Sequence, residues 1–169
     1  MPQVLFDQLP DHGRLWVFPA GRVLDETEAE RCLRVVDSFL DQWAAHGVLL
    51  RSARELRERQ FLLVGVDVDV EAPSGCSIDA LVGNLRSLEG ELGVPFIDHS
   101  SVWFREGDGV RRVSRAEFRA LATDGSRTAE DQVFDTTLTR VDQSRDGSFE
   151  RPASETWHGR AFFKGQVGA

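Results

Sequence analysis

The chain reads as an α+β protein with a ferredoxin-like, split β-α-β core, a plan that three observations predict. Phe61-Leu62-Leu63-Val64-Gly65-Val66 is a near-continuous apolar run, the pattern of a strand buried on both faces. Apolar residues recur at helical spacing in two longer segments, one before this run and one after it. The elements follow as β-α-β-β-α-β over about residues 12–105, which sets two helices on one face of an antiparallel sheet. A C-terminal hairpin, a short helix and an irregular tail extend this core over about residues 106–169, within a single domain spanning 1–169.

Arg14-Leu15-Trp16-Val17-Phe18 is the first expected strand, bounded by His12-Gly13 and by Pro19-Ala20-Gly21. Asp25 and Glu28 have the spacing of a capping box. Ala29, Cys32, Leu33, Val36, Phe39, Leu40 and Trp43 then line one face of a helix that Gly47 is placed to stop. The segment 48–60 admits two readings. Ser52-Ala53-Arg54-Glu55 would cap a helix, whereas a strand would pair with Phe61–Val66 as a compact hairpin; the strand is expected. Asp67-Val68-Asp69-Val70-Glu71 alternates acid and valine as a strand leaving the core does. The second helix covers about residues 78–92, with Ile78, Leu81, Val82, Leu85, Leu88 and Leu92 on one face and Gly93 and Pro95 at its end. Val102-Trp103-Phe104, the fourth core strand, and residues 110–113 flank Glu106-Gly107-Asp108-Gly109, a hairpin signal. Ser114 and Glu117 cap a short third helix carrying Phe118 and Leu121, and an extended piece covers Val133-Phe134 and 137–141. Beyond Gln143 the chain is polar apart from Trp157, Phe162 and Phe163.

Charge and composition exclude several functions. Net charge is −8, and of 20 cationic residues only Lys164 is a lysine. A net-negative chain without a basic run is a poor match to nucleic acid, so no such partner is expected. Arg51, Arg54, Arg57 and Arg59 interleave with Glu55 and Glu58 as a solvated face. A Walker-type phosphate loop needs a lysine followed by Ser or Thr after a glycine-containing turn. Lys164 is followed by Gly165 and Gln166, so ATP hydrolysis of that kind is not supported. No apolar run reaches the ~18 residues of a spanning helix, and residues 1–10 lack a basic stretch leading into an apolar one. No membrane partner is expected, and the cytoplasm is the expected compartment. With two cysteines, Cys32 and Cys76, and four singly scattered histidines, neither a disulfide framework nor a metal centre nor another cofactor is expected.

Ser74-Gly75-Cys76-Ser77-Ile78-Asp79 carries the most chemistry. It follows the apolar strand and opens the second helix, so Ser74, Gly75 and Ser77 surround a thiol at a helix start, where backbone N–H groups favour a thiolate. The carboxylate of Asp79, about one turn on, opposes that effect. An activating base is therefore needed, and His46, in the last turn of the first helix, and His158, in the tail, are the candidates. His12 and His99 sit beside turns and read as loop residues. Trp43 has the spacing of the first helix's buried face. The constellation is incomplete as a catalytic set, which favours a module binding a small ligand or a protein, with the second helix's start lining the pocket. The alternative is a cysteine-dependent hydrolase or transferase, with Cys76 as nucleophile, His46 or His158 as base and Asp79 orienting. A homo-oligomer through a sheet edge or the aromatic tail is a further expectation.

Trp43-Ala44-Ala45-His46-Gly47, Ser74-Gly75-Cys76-Ser77-Ile78-Asp79 and Trp157-His158 resemble segments that occur in the same order in a group of short, uncharacterised bacterial proteins. Some members of that group carry the label "ABC transporter ATPase". The resemblance implies candidate positions at His46, Cys76, Ser77, Asp79 and His158. It does not supply the Walker loop that the label requires.

Overall fold

Arg14–Pro19 (β1) is extended, and its alternate side chains divide between two faces. Glu26–Leu40 (α1) starts at Asp25, whose carboxylate accepts from the Glu28 amide (2.8 Å) while the Glu28 side chain accepts from the Asp25 amide (3.0 Å). This is the expected capping box. Ala44–Ala45 (β2) and Val48–Leu49 (β3) then form a miniature hairpin turning at His46-Gly47, both left-handed with φ of 53° and 77°. That pair makes a type I′ turn. The first helix therefore stops at Asp41 instead of running on to Gly47, and His46 sits exposed at a hairpin tip rather than in a last helical turn.

Ser52–Arg57 (β4) and Phe61–Val66 (β5) form the hairpin expected for the ambiguous segment. Its turn places Glu58 and Arg59 at φ of 57° and 49°, with the Gln60 amide donating to the Arg57 carbonyl (3.0 Å). Left-handed backbone crowds any Cβ against the following carbonyl, which is why such turns favour Asn and Gly. Replacing the pair together, Glu58→Asn with Arg59→Gly, is expected to raise stability by about 1 kcal/mol, read as a higher urea midpoint at unchanged m. A midpoint that stays or falls would remove the argument from strain.

The computed structural model describes residues 2–164 of the chain. Its contacts divide it into two units, Met1–Asp98 with Thr137–Ser144, and His99–Thr136 with Arg145–Ala169.

In the first unit β5 lies between β1 and β4 in an antiparallel sheet, with Val64 opposite both Trp16 and Arg54. Leu62, Val64 and Val66 pack with Cys32, Val36 and Leu40 of α1 and with Leu81, Leu85 and Leu88 of Gly75–Leu92 (α2). Both helices thus share one face of the sheet, as the sequence predicts. On the other face a Cβ at Gly65 would stand 2.5 Å from Leu9 Cδ1 and 3.3 Å from Val141 Cγ2, so glycine is what lets these covering segments approach.

In the second unit Ser101–Glu106 (β6) and Gly109–Ser114 (β7) form the predicted hairpin, and Ser114 caps Arg115–Thr123 (α3) by accepting from the Glu117 amide. Gln132–Phe134 (β8) and Glu150–Pro152 (β9) complete a sheet of order β7-β6-β8-β9. Trp157–Phe162 (α4) follows, and Val102, Phe104, Phe118, Val133 and Phe163 join one core cluster.

Three expectations are corrected. Val102-Trp103-Phe104 does not complete the first sheet; it pairs with β7 and β8. The outer edge of β1 is taken instead by a later segment. The Leu15 amide donates to the Thr139 carbonyl and the Val141 amide to the Gly13 carbonyl (both 2.9 Å), with Arg14 antiparallel to Arg140. The tail is not irregular, since it holds β9 and α4; residues 165–169 at its end lie outside the described residues. Asp67-Val68-Asp69-Val70-Glu71 is a turn rather than a strand, held by Arg51 Nη1 and the Asp69 amide donating to the Asp67 carboxylate (both 3.0 Å). Among the described residues no helix is long and apolar enough to cross a membrane.

Candidate functional site

The start of α2 is fixed by two serines. Ser74 Oγ accepts from the Ser77 amide (3.1 Å), and Ser77 Oγ accepts from the Ser74 amide (2.7 Å) while donating to the Ser74 carbonyl (2.8 Å). Ser77 is buried by this reciprocal cap, and Cys76 beside it is exposed. Trp43 approaches from the end of α1. Its indole N–H donates to the Ser77 carbonyl (2.8 Å), and its ring stands edge-on to Trp16 and tilted against Phe39, with centroids 5.8 and 5.6 Å apart. Between these elements lies a hollow of about 390 Å³. Ser38, Phe39, Gln42, Trp43 and Ala44 line one side, and Cys76, Ser77 and Ala80 the other. Its size falls in the range of small-molecule sites.

The structure gathers only part of the expected set here. Cys76, Ser77 and Trp43 share the hollow; Ser74 caps the helix behind it, and Gly75 is exposed at its first turn. Asp79 lines a different recess of about 250 Å³ with Val82, Gly83 and Arg86. His46 sits on the hairpin tip and is not among the lining residues. His158 belongs to the second unit, where it is 1% exposed. Its Nδ1 and the Thr156 hydroxyl share a 2.8 Å hydrogen bond, its ring stacks on Trp157 (3.9 Å between centroids), and Phe118 and Phe162 lie close by. Burial, aided by Arg115 and opposed by Asp135, pushes its imidazole down to about 4, so it is neutral at pH 7. Cys32 is sealed in the core, and burial pushes its thiol up to about 12. Cys76 is therefore the accessible sulfur of the two.

A second hollow, of about 480 Å³, was not expected. The N-terminal residues Gln3, Val4, Leu5, Phe6 and Gln8 line it together with Asp37 and Asp41 of the α1 end and Arg54 of β4. Arg54 grips Asp37 with two bonds, Nε to Oδ1 (2.8 Å) and Nη2 to Oδ2 (2.9 Å), and Gln3 Nε2 donates to Oδ1 (2.6 Å). Burial opposes ionisation of Asp37, but the bonds from Arg54 and Gln3 outweigh it and hold the carboxyl below its usual range. Arg54 is thus tied to α1, and Arg51 to Asp67, rather than simply solvated. The signal for this hollow in the sequence is Asp37 and Asp41, like charges four residues apart at a helix end with no basic residue in its last turn.

Among the described residues no group of three or more His, Cys, Asp or Glu is placed to hold a metal ion. No family model matches the chain, and no curated protein or solved structure matches it either.

Proposed function

We propose that the first unit is a binding module for a small, flat, apolar ligand held between the end of α1 and the start of α2, with Cys76 at the lip. The observation that carries this reading is the Trp43–Ser77 hydrogen bond, which fixes an aromatic wall against a capped helix start and leaves a hollow between them. Two of the three resemblance segments meet at this point: Trp43 and Ala44 come from one, Cys76 and Ser77 from the other. Phe39, Trp43 and Ala80 offer apolar contact, while Ser38 and Gln42 offer a few polar atoms for orientation, the usual division of labour in such sites. None of the lining residues can take a proton from the thiol, which weighs against the cysteine-enzyme reading. The same reading treats the unit as a variant of the split β-α-β plan, with residues 139–141 standing beside β1 where a fourth strand would lie.

Iodoacetamide is expected to modify Cys76 and leave Cys32 untouched in the native protein. Naphthalene-ring fragments in excess should slow that alkylation at least ~10-fold, a protection of the size that burial of a small aromatic can supply. Ala80→Trp, which fills the hollow from α2, should abolish the protection without lowering the melting temperature. Fragments that bind while leaving the alkylation rate unchanged would place the site elsewhere. Cys76→Ser should keep its stability, because the sulfur is exposed.

A further inference from the structure

We infer that the second hollow, lined by Asp37, Asp41, Arg54 and the N-terminal segment, binds a small organic cation with an ammonium or guanidinium head and a short apolar tail. The inference is independent of the ligand proposed for the Cys76 hollow. It starts from an imbalance of charge. Asp37 is satisfied, since its two oxygens accept three hydrogen bonds and Arg54 neutralises it. Asp41 is not. Its Oδ1 is buried and, among the described residues, has no hydrogen-bond partner.

The location makes the imbalance costly. Asp41 is the C-cap of α1, where the helix dipole already places partial negative charge, and no basic residue occupies the last turn. A carboxylate oxygen withdrawn from water without a donor is a strongly unfavourable arrangement. The hollow that Asp41 lines therefore carries one uncompensated negative charge on its wall.

The remaining lining defines the ligand. Leu5, 73% exposed, lines the hollow with Val4 and Phe6 and offers an apolar rim. An anion meets the wrong sign, and a bare metal ion meets one free carboxylate rather than the three or more ligands it needs. A cation with N–H donors and a few methylenes answers both walls, supplying the missing bond at Asp41 and covering Leu5.

The test uses the intact protein and three six-carbon probes: hexylammonium chloride, 1-hexanol and sodium hexanoate, followed by backbone amide NMR. Hexylammonium is expected to bind at least ~10-fold more tightly than hexanol, with shifts concentrated at residues 3–8 and 37–41, because only it supplies the counter-charge. Hexanoate should not bind there. Asp41→Asn should lose about 10-fold in hexylammonium affinity while its melting temperature rises by ~1–4 °C, since an unpaired charge leaves the negative end of a helix. Equal binding of hexylammonium and hexanol to the unaltered protein, shifts confined to other residues, or an Asp41→Asn protein that binds hexylammonium undiminished would each overturn the inference. The probe series on the unaltered chain decides the matter even where the variant folds poorly.

Discussion

Replacing Trp43 by alanine is expected to destabilise the protein by about 3–5 kcal/mol, a large share of the ~5–15 kcal/mol that holds a domain of this kind together. The side chain is 3% exposed and joins three elements: Trp16 of β1, Phe39 of α1 and the first turn of α2 through Ser77. Alanine removes the ring contacts and the indole donor together, and the hollow beside Cys76 loses its wall. Trp43→Phe separates the two contributions. It keeps most of the apolar area, loses the donor to the Ser77 carbonyl and leaves a small void, so it should cost about 1–2 kcal/mol. Urea midpoints of the two variants test the argument. A Trp43→Ala cost near that of Trp43→Phe would mean that the ring is not what joins the elements.

The second large effect is a loss of stability in acid that is traceable to His158. Its imidazole is buried against Trp157, Phe118 and Phe162, and burial lowers it from 6.5 to about 4 in the folded protein. Above pH 6.5 the ring is neutral in both folded and unfolded chains, and its contribution is fully present. As the pH falls from 6.5 towards 4 the unfolded chain takes up a proton that the folded chain refuses. Stability is therefore lost through that window, by about 3 kcal/mol in all, and no further loss from this group follows below it. His158→Gln keeps hydrogen-bonding capacity without a titrating ring. The measurement is the drop in unfolding free energy between pH 7.5 and 4.5 for both proteins, in which carboxylate effects common to both cancel. The parent protein should lose about 2–3 kcal/mol more than the variant over this range. Equal drops would show that burial of His158 has no part in acid sensitivity.

Local chemistry was legible in the sequence wherever the structure obeys local rules. The Asp25–Glu28 cap, the buried run of β5, the α2 face, the β6–β7 hairpin and the Ser114 cap all follow from short-range patterns that the chain then adopts. Trp43 shows where such reading stops. It continues the apolar spacing of α1, yet it is buried because its indole reaches Ser77, 34 residues away in the chain. The helix had already ended at Asp41, and nothing as plain as a glycine marks that end. Val102-Trp103-Phe104 shows the same limit for strands, because alternation identifies a strand and leaves its partner open. For the candidate site, the sequence correctly brought Cys76 and Ser77 to a helix start. It did not show that Asp79, one turn along, lines another recess, since that depends on what packs beside α2. A six-residue helix such as α4 is likewise stabilised by packing rather than propensity, so its ring contacts with Phe118 were outside the reach of any local window.

The strip of chain along the free edge of β1 has a consequence for biosynthesis. Because Thr137–Ser144 belongs with Met1–Asp98, no single cleavage releases the first unit whole. Until residue 141 has left the ribosome, the Leu15 N–H and the Gly13 carbonyl stay unpaired on an open strand, a template for another nascent chain to add to. The last piece to arrive closes the border of the sheet made first.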